Sequence, residues 1–141
     1  MKARTIAVAI AIAMAVQYGA AGENGKKFKT DNEKVAFATK NLMKGLNSTN
    51  PGVVEASIRL TAQMKMKYPG ADVTVLQDML NTIATNNRSG CVRYKAYIAS
   101  NICSDPEWFS NEENVVNADQ ENFFRAASQR LHQRLLTTNT P

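Results

Sequence analysis

"SGCVRYKAYIASNIC", residues 89–103, decides how the rest of the chain is read, because it holds both cysteines and fits two secondary structures. As a strand, Val92, Tyr94, Ala96 and Ile98 alternate with polar Arg93 and Lys95. As a helix, Cys91, Tyr94, Ile98 and Ile102 fall on one face. The run is long, Ser89 stands where a helix needs a capping oxygen, and the neighbouring segments read as helical, so a helix is predicted over 90–102. That assignment settles the cysteines. Twelve residues of helix separate Cys91 from Cys103 by roughly 18 Å at 1.5 Å per residue, whereas a disulfide needs Cα atoms within about 7 Å. The two thiols are therefore expected to be free, partly buried as small apolar groups, or bonded between molecules.

Outward from this stretch the chain continues as helices with short connections. "TDNE", residues 30–33, has the form of a capping box in which Thr30 and Glu33 satisfy each other's backbone N–H groups. Val35, Ala38, Leu42 and Leu46 then recur at helical spacing. In "NSTNPG", residues 47–52, Asn50 is the expected cap of a second helix, with Pro51 in its first turn. Val53, Ala56, Leu60 and Met64 form one stripe of that helix. Val54, Ile58 and Ala62 form another, and two stripes imply neighbours on two sides. Pro69 and Gly70 end it. Asp72 is read as the cap of a third helix burying Leu76, Met79, Leu80 and Ile83. Asp105 with Pro106 opens a short turn, residues 111–117 form the longest loop, and a last helix over 117–136 buries Phe124, Ala127, Leu131 and Leu135. No hairpin signal occurs in the mature region. The fold class is all-α, as antiparallel helix pairs, about five helices in one domain over residues 31–137.

The first 21 residues have the layout of a signal peptide. Lys2 and Arg4 precede an apolar run of eleven residues, 6–16, and small residues Gly19 and Ala21 follow. The run is shorter than the roughly 20 apolar residues of a membrane span. Cleavage is expected after Ala21, with Ala15 as the alternative, and places the protein in a secreted or periplasmic location. Loss of the two cations Lys2 and Arg4 lowers the formal charge from +5 to +3. Residues 22–30, with "GKKFK" at 25–29, form a flexible basic tail suited to anionic envelope surfaces. No aromatic-basic groove pattern suggests nucleic acid as the partner.

Catalytic constellations are not apparent. Two cysteines and one histidine cannot make a Cys/His metal quartet, and no phosphate loop, nucleophile elbow or haem-attachment motif occurs. No cofactor is expected. His132 shares a helical face with Glu121, Arg125 and Ser128 and reads as solvated. The paired carboxylates, such as Glu112 with Glu113, read as caps and dipole partners. Cys91 stands in the first turn of its helix near Arg93, a position from which reactive thiols act, and carries the alternative of a thiol-dependent enzyme or redox sensor. "PEWF", residues 106–109, offers Trp108 and Phe109 either as the closure of a helical core or as an aromatic contact patch. The patch, or an intermolecular disulfide, would make the chain an oligomerising structural subunit.

A shift of 38 residues lays "PGVVEASIRL" (51–60) on "SGCVRYKAYI" (89–98), with Gly52 on Gly90, Val54 on Val92, Leu60 on Ile98 and, further upstream, Leu42 on Leu80. A period near forty with two helices per unit resembles HEAT and armadillo repeats, and "VRYKA" at 92–96 is similar to the V-R-x-x-A element of their second helices. The chain departs from that pattern in the turn Asn86-Asn87-Arg88, which lacks the family's aspartate, and in Glu55 opposite Arg93. The resemblance, over about residues 33–103, implies a binding role with one helix of each pair on a concave face. Its candidate binding residues are Arg59, Lys65, Lys67, Arg93 and Lys95. All are basic, so the expected partner is a protein or envelope component carrying negative charge.

Overall fold

The computed structural model describes residues 28–111, 115, 118–119 and 122–138; the expected signal peptide and nearly all of the basic tail lie outside them. The described residues form six helices with set bounds: α1 (Asp31–Leu46), α2 (Pro51–Lys67), α3 (Thr74–Asn86), α4 (Gly90–Ser104), α5 (Pro106–Ser110) and α6 (Phe123–Thr138). No strand occurs among the described residues, so residues 91–99 are helical.

Local chemistry explains most helix starts. Thr30 Oγ1 accepts from Glu33 N–H at 3.2 Å, Asn50 Oδ1 from Gly52 and Val53, Ser89 Oγ from Val92, and Asp105 Oδ1 from Trp108. Each side-chain oxygen meets a backbone donor that the first helical turn leaves without a partner. Two details differ from expectation. Glu33 closes on Lys29 N–H at 2.8 Å, not on Thr30, so the capping box is one residue wider. Asp72 sits one residue ahead of the α3 cap, Val73, and binds the Thr74 N–H and hydroxyl. These two bonds favour its ionised form and hold its carboxyl below the usual range.

α2 is the central element. Nine of its residues are buried, and it packs against α1, α4 and α5, which accounts for its two apolar stripes. Its buried hydroxyls are satisfied within the helix: Ser57 Oγ donates to Val53 O and Thr61 Oγ1 to Ser57 O, each at 2.8 Å. α1 crosses α2 at Gly45, where a Cβ would lie 2.0 Å from Ser57 Oγ. α4 packs on α3, α2, α5 and α6. Its buried side is Val92, Ala96, Ile98, Ala99, Ile102 and Cys103. The predicted face of Cys91, Tyr94, Ile98 and Ile102 is therefore corrected: Cys91 and Tyr94 are exposed. Small residues Ala96 and Ala99, both 0 % exposed, let the neighbouring helices approach, which apolar spacing alone does not register.

The last helix is also corrected. It begins at Phe123, not 117, where Asp119 accepts from Asn122 N–H and Phe123 N–H. Phe123, Ala127 and Leu131 are buried, while Phe124 is half-buried and Leu135 exposed.

Candidate functional site

The predicted basic residues lie on two helices, α2 and α4, and each makes a contact within the chain. Arg59, half-buried on α2, donates to Gln63 Oε1 at 3.0 Å, and burial lowers its guanidinium from the ordinary value. Lys65 Nζ donates to Pro69 O at 2.6 Å and Ala71 O at 2.7 Å. It thereby ties the α2–α3 turn to the end of α2. Lys67 is exposed, its ammonium 5.6 Å from the Tyr68 ring. Arg93 donates to Asn87 O at 2.8 Å and pins the α3–α4 turn. Lys95 pairs with Glu55 across the α2–α4 contact and lies 5.5 Å from the centre of the Phe124 ring. Burial alone would lower the Lys95 ammonium; hydrogen bonding to Glu55 and its charge, with a smaller contribution from Cys91, outweigh this and raise it. Arg93 and Lys95 thus stand near the start of α4 and Lys65 and Lys67 near the end of α2. Glu55 is the residue that sequence reasoning missed as a partner, although the 38-residue shift had already singled it out.

Phe109 is fully buried, so the aromatic contact patch is corrected to a core closure at that residue. Trp108 is half-buried beneath the Arg130 guanidinium, whose carbon is 4.1 Å from the ring centre, and Arg130 Nε donates to Trp108 O at 3.2 Å. Arg134 pairs with Asp105 at 3.1 Å. Together these contacts clasp α6 to α5. His132 is exposed on α6.

Both cysteines are free, Cys91 exposed and Cys103 buried. They sit near opposite ends of one continuous helix, α4. Burial pushes the Cys103 thiol up from 9.0 to about 11. The unfolded chain therefore ionises this thiol first, and its stabilising contribution, full below pH 9, is lost as pH rises through about 11. Each pH unit of that interval corresponds to about 1.4 kcal/mol. Urea unfolding between pH 8 and 11 should show the native chain losing roughly 2–3 kcal/mol more than Cys103→Ala; parallel pH profiles would contradict this.

Side-chain bonds that no motif announces join the remaining helices. Gln77 donates to Ser104 Oγ at 2.7 Å, and Ser100 donates to Asn81 at 2.6 Å, linking α3 to α4. Tyr94 and Ser128 share a 2.6 Å hydroxyl hydrogen bond that links α4 to α6. An open groove of ≈ 820 Å³ runs between α1 and the α2–α3 turn, with Val35, Thr39, Met43, Tyr68 and Ala71 among its lining. Among the described residues no three His, Cys, Asp or Glu side chains are placed to hold a metal, and no helix is long and apolar enough to cross a membrane. The molecule so described is of the all-α class. No protein-family model matches the chain, and neither a curated protein nor a solved structure shows a significant match to it.

Proposed function

We infer that the chain is an exported, single-domain binding module of two HEAT-like helix pairs, which engages a protein or envelope component carrying negative charge and catalyses no reaction. The observation that carries this reading is the packing order. α1 lies on α2 and α3 on α4, while α1 also meets α3 and α2 meets α4. Like helix stacks on like, as in adjacent units of a solenoid. The internal repeat supports it, since the matched pairs Leu42 and Leu80, Val54 and Val92, and Leu60 and Ile98 are all buried. Export rests on the order of charged, apolar and small residues in 1–21.

A second reading, thiol chemistry, is favoured by Cys91, which is exposed in the first turn of α4 within reach of the Lys95 ammonium. An intermolecular disulfide at the same cysteine would serve the structural-subunit reading. One preparation separates these readings. The chain should be recovered from the extracytoplasmic fraction beginning at Gly22, or at Val16 for the alternative cleavage, by mass; recovery from the cytoplasm alone with Met1 retained would remove export. Alkylation of its Cys91 no faster than that of a free cysteine peptide agrees with a binding module; a rate tenfold or more above that peptide favours thiol chemistry. Sizing with and without reductant exposes any covalent dimer.

A further inference from the structure

We propose that the outer face shared by α4 and α6 is the docking surface of this module, and that its occupant is an amphipathic acidic segment of a partner protein. The proposal deepens the binding reading above and rests on it.

The charge pattern comes first. Neither α4, "GCVRYKAYIASNICS", nor α6, "FFRAASQRLHQRLLTT", contains a carboxylate. Together they hold five lysines and arginines and the histidine. Part of this charge is answered inward, Lys95 by Glu55 and Arg134 by Asp105, while Arg130 covers Trp108. Arg93 and Arg125 remain exposed. Their hydrogen bonds go to neutral oxygens, the Asn87 and Arg88 carbonyls and the Asn122 side chain. Such bonds orient a guanidinium without cancelling its charge. Among the described residues, the two helices of this face carry cations and no carboxylate.

The geometry comes second. Phe124 meets Lys95 and, ten residues further along both segments, Arg134 meets Asp105. α6 therefore runs parallel to α4, and the two arginines Arg93 and Arg125 stand at the same end. α4 is covered by α2, α3 and α6, and its outward arc carries Tyr94 and Tyr97, 52 % and 45 % exposed. The hydrogen bond of Tyr94 to Ser128 ties its side chain to the junction of the two helices. Along α6, Ser128, His132 and Leu135 follow at helical spacing, and Leu135 and Leu136 are exposed. Tyrosine and arginine around a partly apolar stripe are the residue types that dominate protein interfaces. A ridge of two parallel helices suits an amphipathic helix whose apolar side lies on the stripe and whose carboxylates flank it. An anionic bilayer is the weaker fit, because the exposed cations are few and stand beside Tyr94 and Tyr97, not as a dense basic cluster.

The test uses the chain lacking residues 1–21, with a photo-crosslinking residue at position 97 or, as a control on the far side of α3, at position 75. The probe is a synthetic helical peptide with Leu at every third or fourth position and Glu elsewhere. Crosslinking from position 97 and not 75 is expected, with binding weakened about tenfold by Arg125→Glu and again by Tyr97→Ser. Added salt should weaken it further, and a peptide with Lys in place of Glu should not bind. Unchanged circular dichroism keeps these surface variants interpretable. Binding of the acidic peptide that ignores both substitutions would overturn the face while sparing the module. Absence of binding to the acidic peptide would overturn the face and its partner chemistry. Capture of phosphatidylserine vesicles or of a single-stranded oligonucleotide in its place would replace the occupant with a bilayer or a nucleic acid. The module reading itself fails separately, by its export and alkylation outcomes.

Discussion

Phe123→Ala is expected to cost about 3–5 kcal/mol of stability, the range for removing a large buried aromatic side chain. Phe123 is 0 % exposed and packs edge-on to Phe124, ring centres 5.2 Å apart. α6 buries only Phe123, Ala127 and Leu131, and Ala127 is small, so two side chains supply most of its apolar anchorage. What remains in the variant includes Leu131, half-buried Phe124, the Tyr94–Ser128 bond, the Arg130–Trp108 stack and the Arg134–Asp105 pair. The last is half-exposed and contributes at most about 1 kcal/mol. The loss should therefore appear first as undocking of α6. Hydrogen exchange within Phe123–Thr138 should accelerate while α2 and α4 stay protected, and the thermal midpoint should fall by more than about 10 °C. Phe124→Ala, at a half-buried position, should cost clearly less. A loss below about 1 kcal/mol for Phe123→Ala would mean that α6 is held by something other than this ring.

Gly45→Ala is expected to destabilise by about 1–3 kcal/mol, against the roughly 1 kcal/mol that alanine ordinarily adds over glycine inside a helix. The sign is the informative part. A Cβ at position 45 would lie 2.0 Å from Ser57 Oγ and 3.0 Å from Ser57 Cβ. The hydroxyl can rotate away only by giving up its 2.8 Å bond to Val53 O, and the Cβ contact remains tight. Ser57→Gly should recover part of the loss in the Gly45→Ala background while being destabilising by itself. Such a cycle yields a coupling of about 1–2 kcal/mol. Additive effects, or a stabilised Gly45→Ala variant, would contradict the close crossing of α1 and α2.

The glycine also shows where sequence reading stops. Within "KNLMKGL", Gly45 is legible only as a mild cost to a helix, and its use is visible only once α2 lies against it. The caps are the opposite case. Thr30, Asn50, Ser89 and Asp105 bond to N–H groups two or three residues away, so four or five residues contain the whole interaction. Asp72 missed its expected place by one residue because Thr74 offers both an N–H and a hydroxyl. The candidate site was less legible. Lys65 and Arg93 read as free surface charge, but their donors close turns on backbone carbonyls, which side-chain type does not disclose. Phe123 and Phe124 are adjacent and equally apolar, so periodicity could not choose which turns inward.

Local chemistry in the chain was enough for the all-helical class, four caps, the two-sided burial of α2 and the separation of the thiols along α4, because caps and helical rise act over a few neighbouring residues. Tertiary structure decided which arc of α4 faces outward, which phenylalanine anchors α6 and which cations find a carboxylate across the fold. Those outcomes depend on neighbours 20 to 40 positions away, such as Glu55 for Lys95 and Asp105 for Arg134, and apolar spacing within one helix carries no information about them.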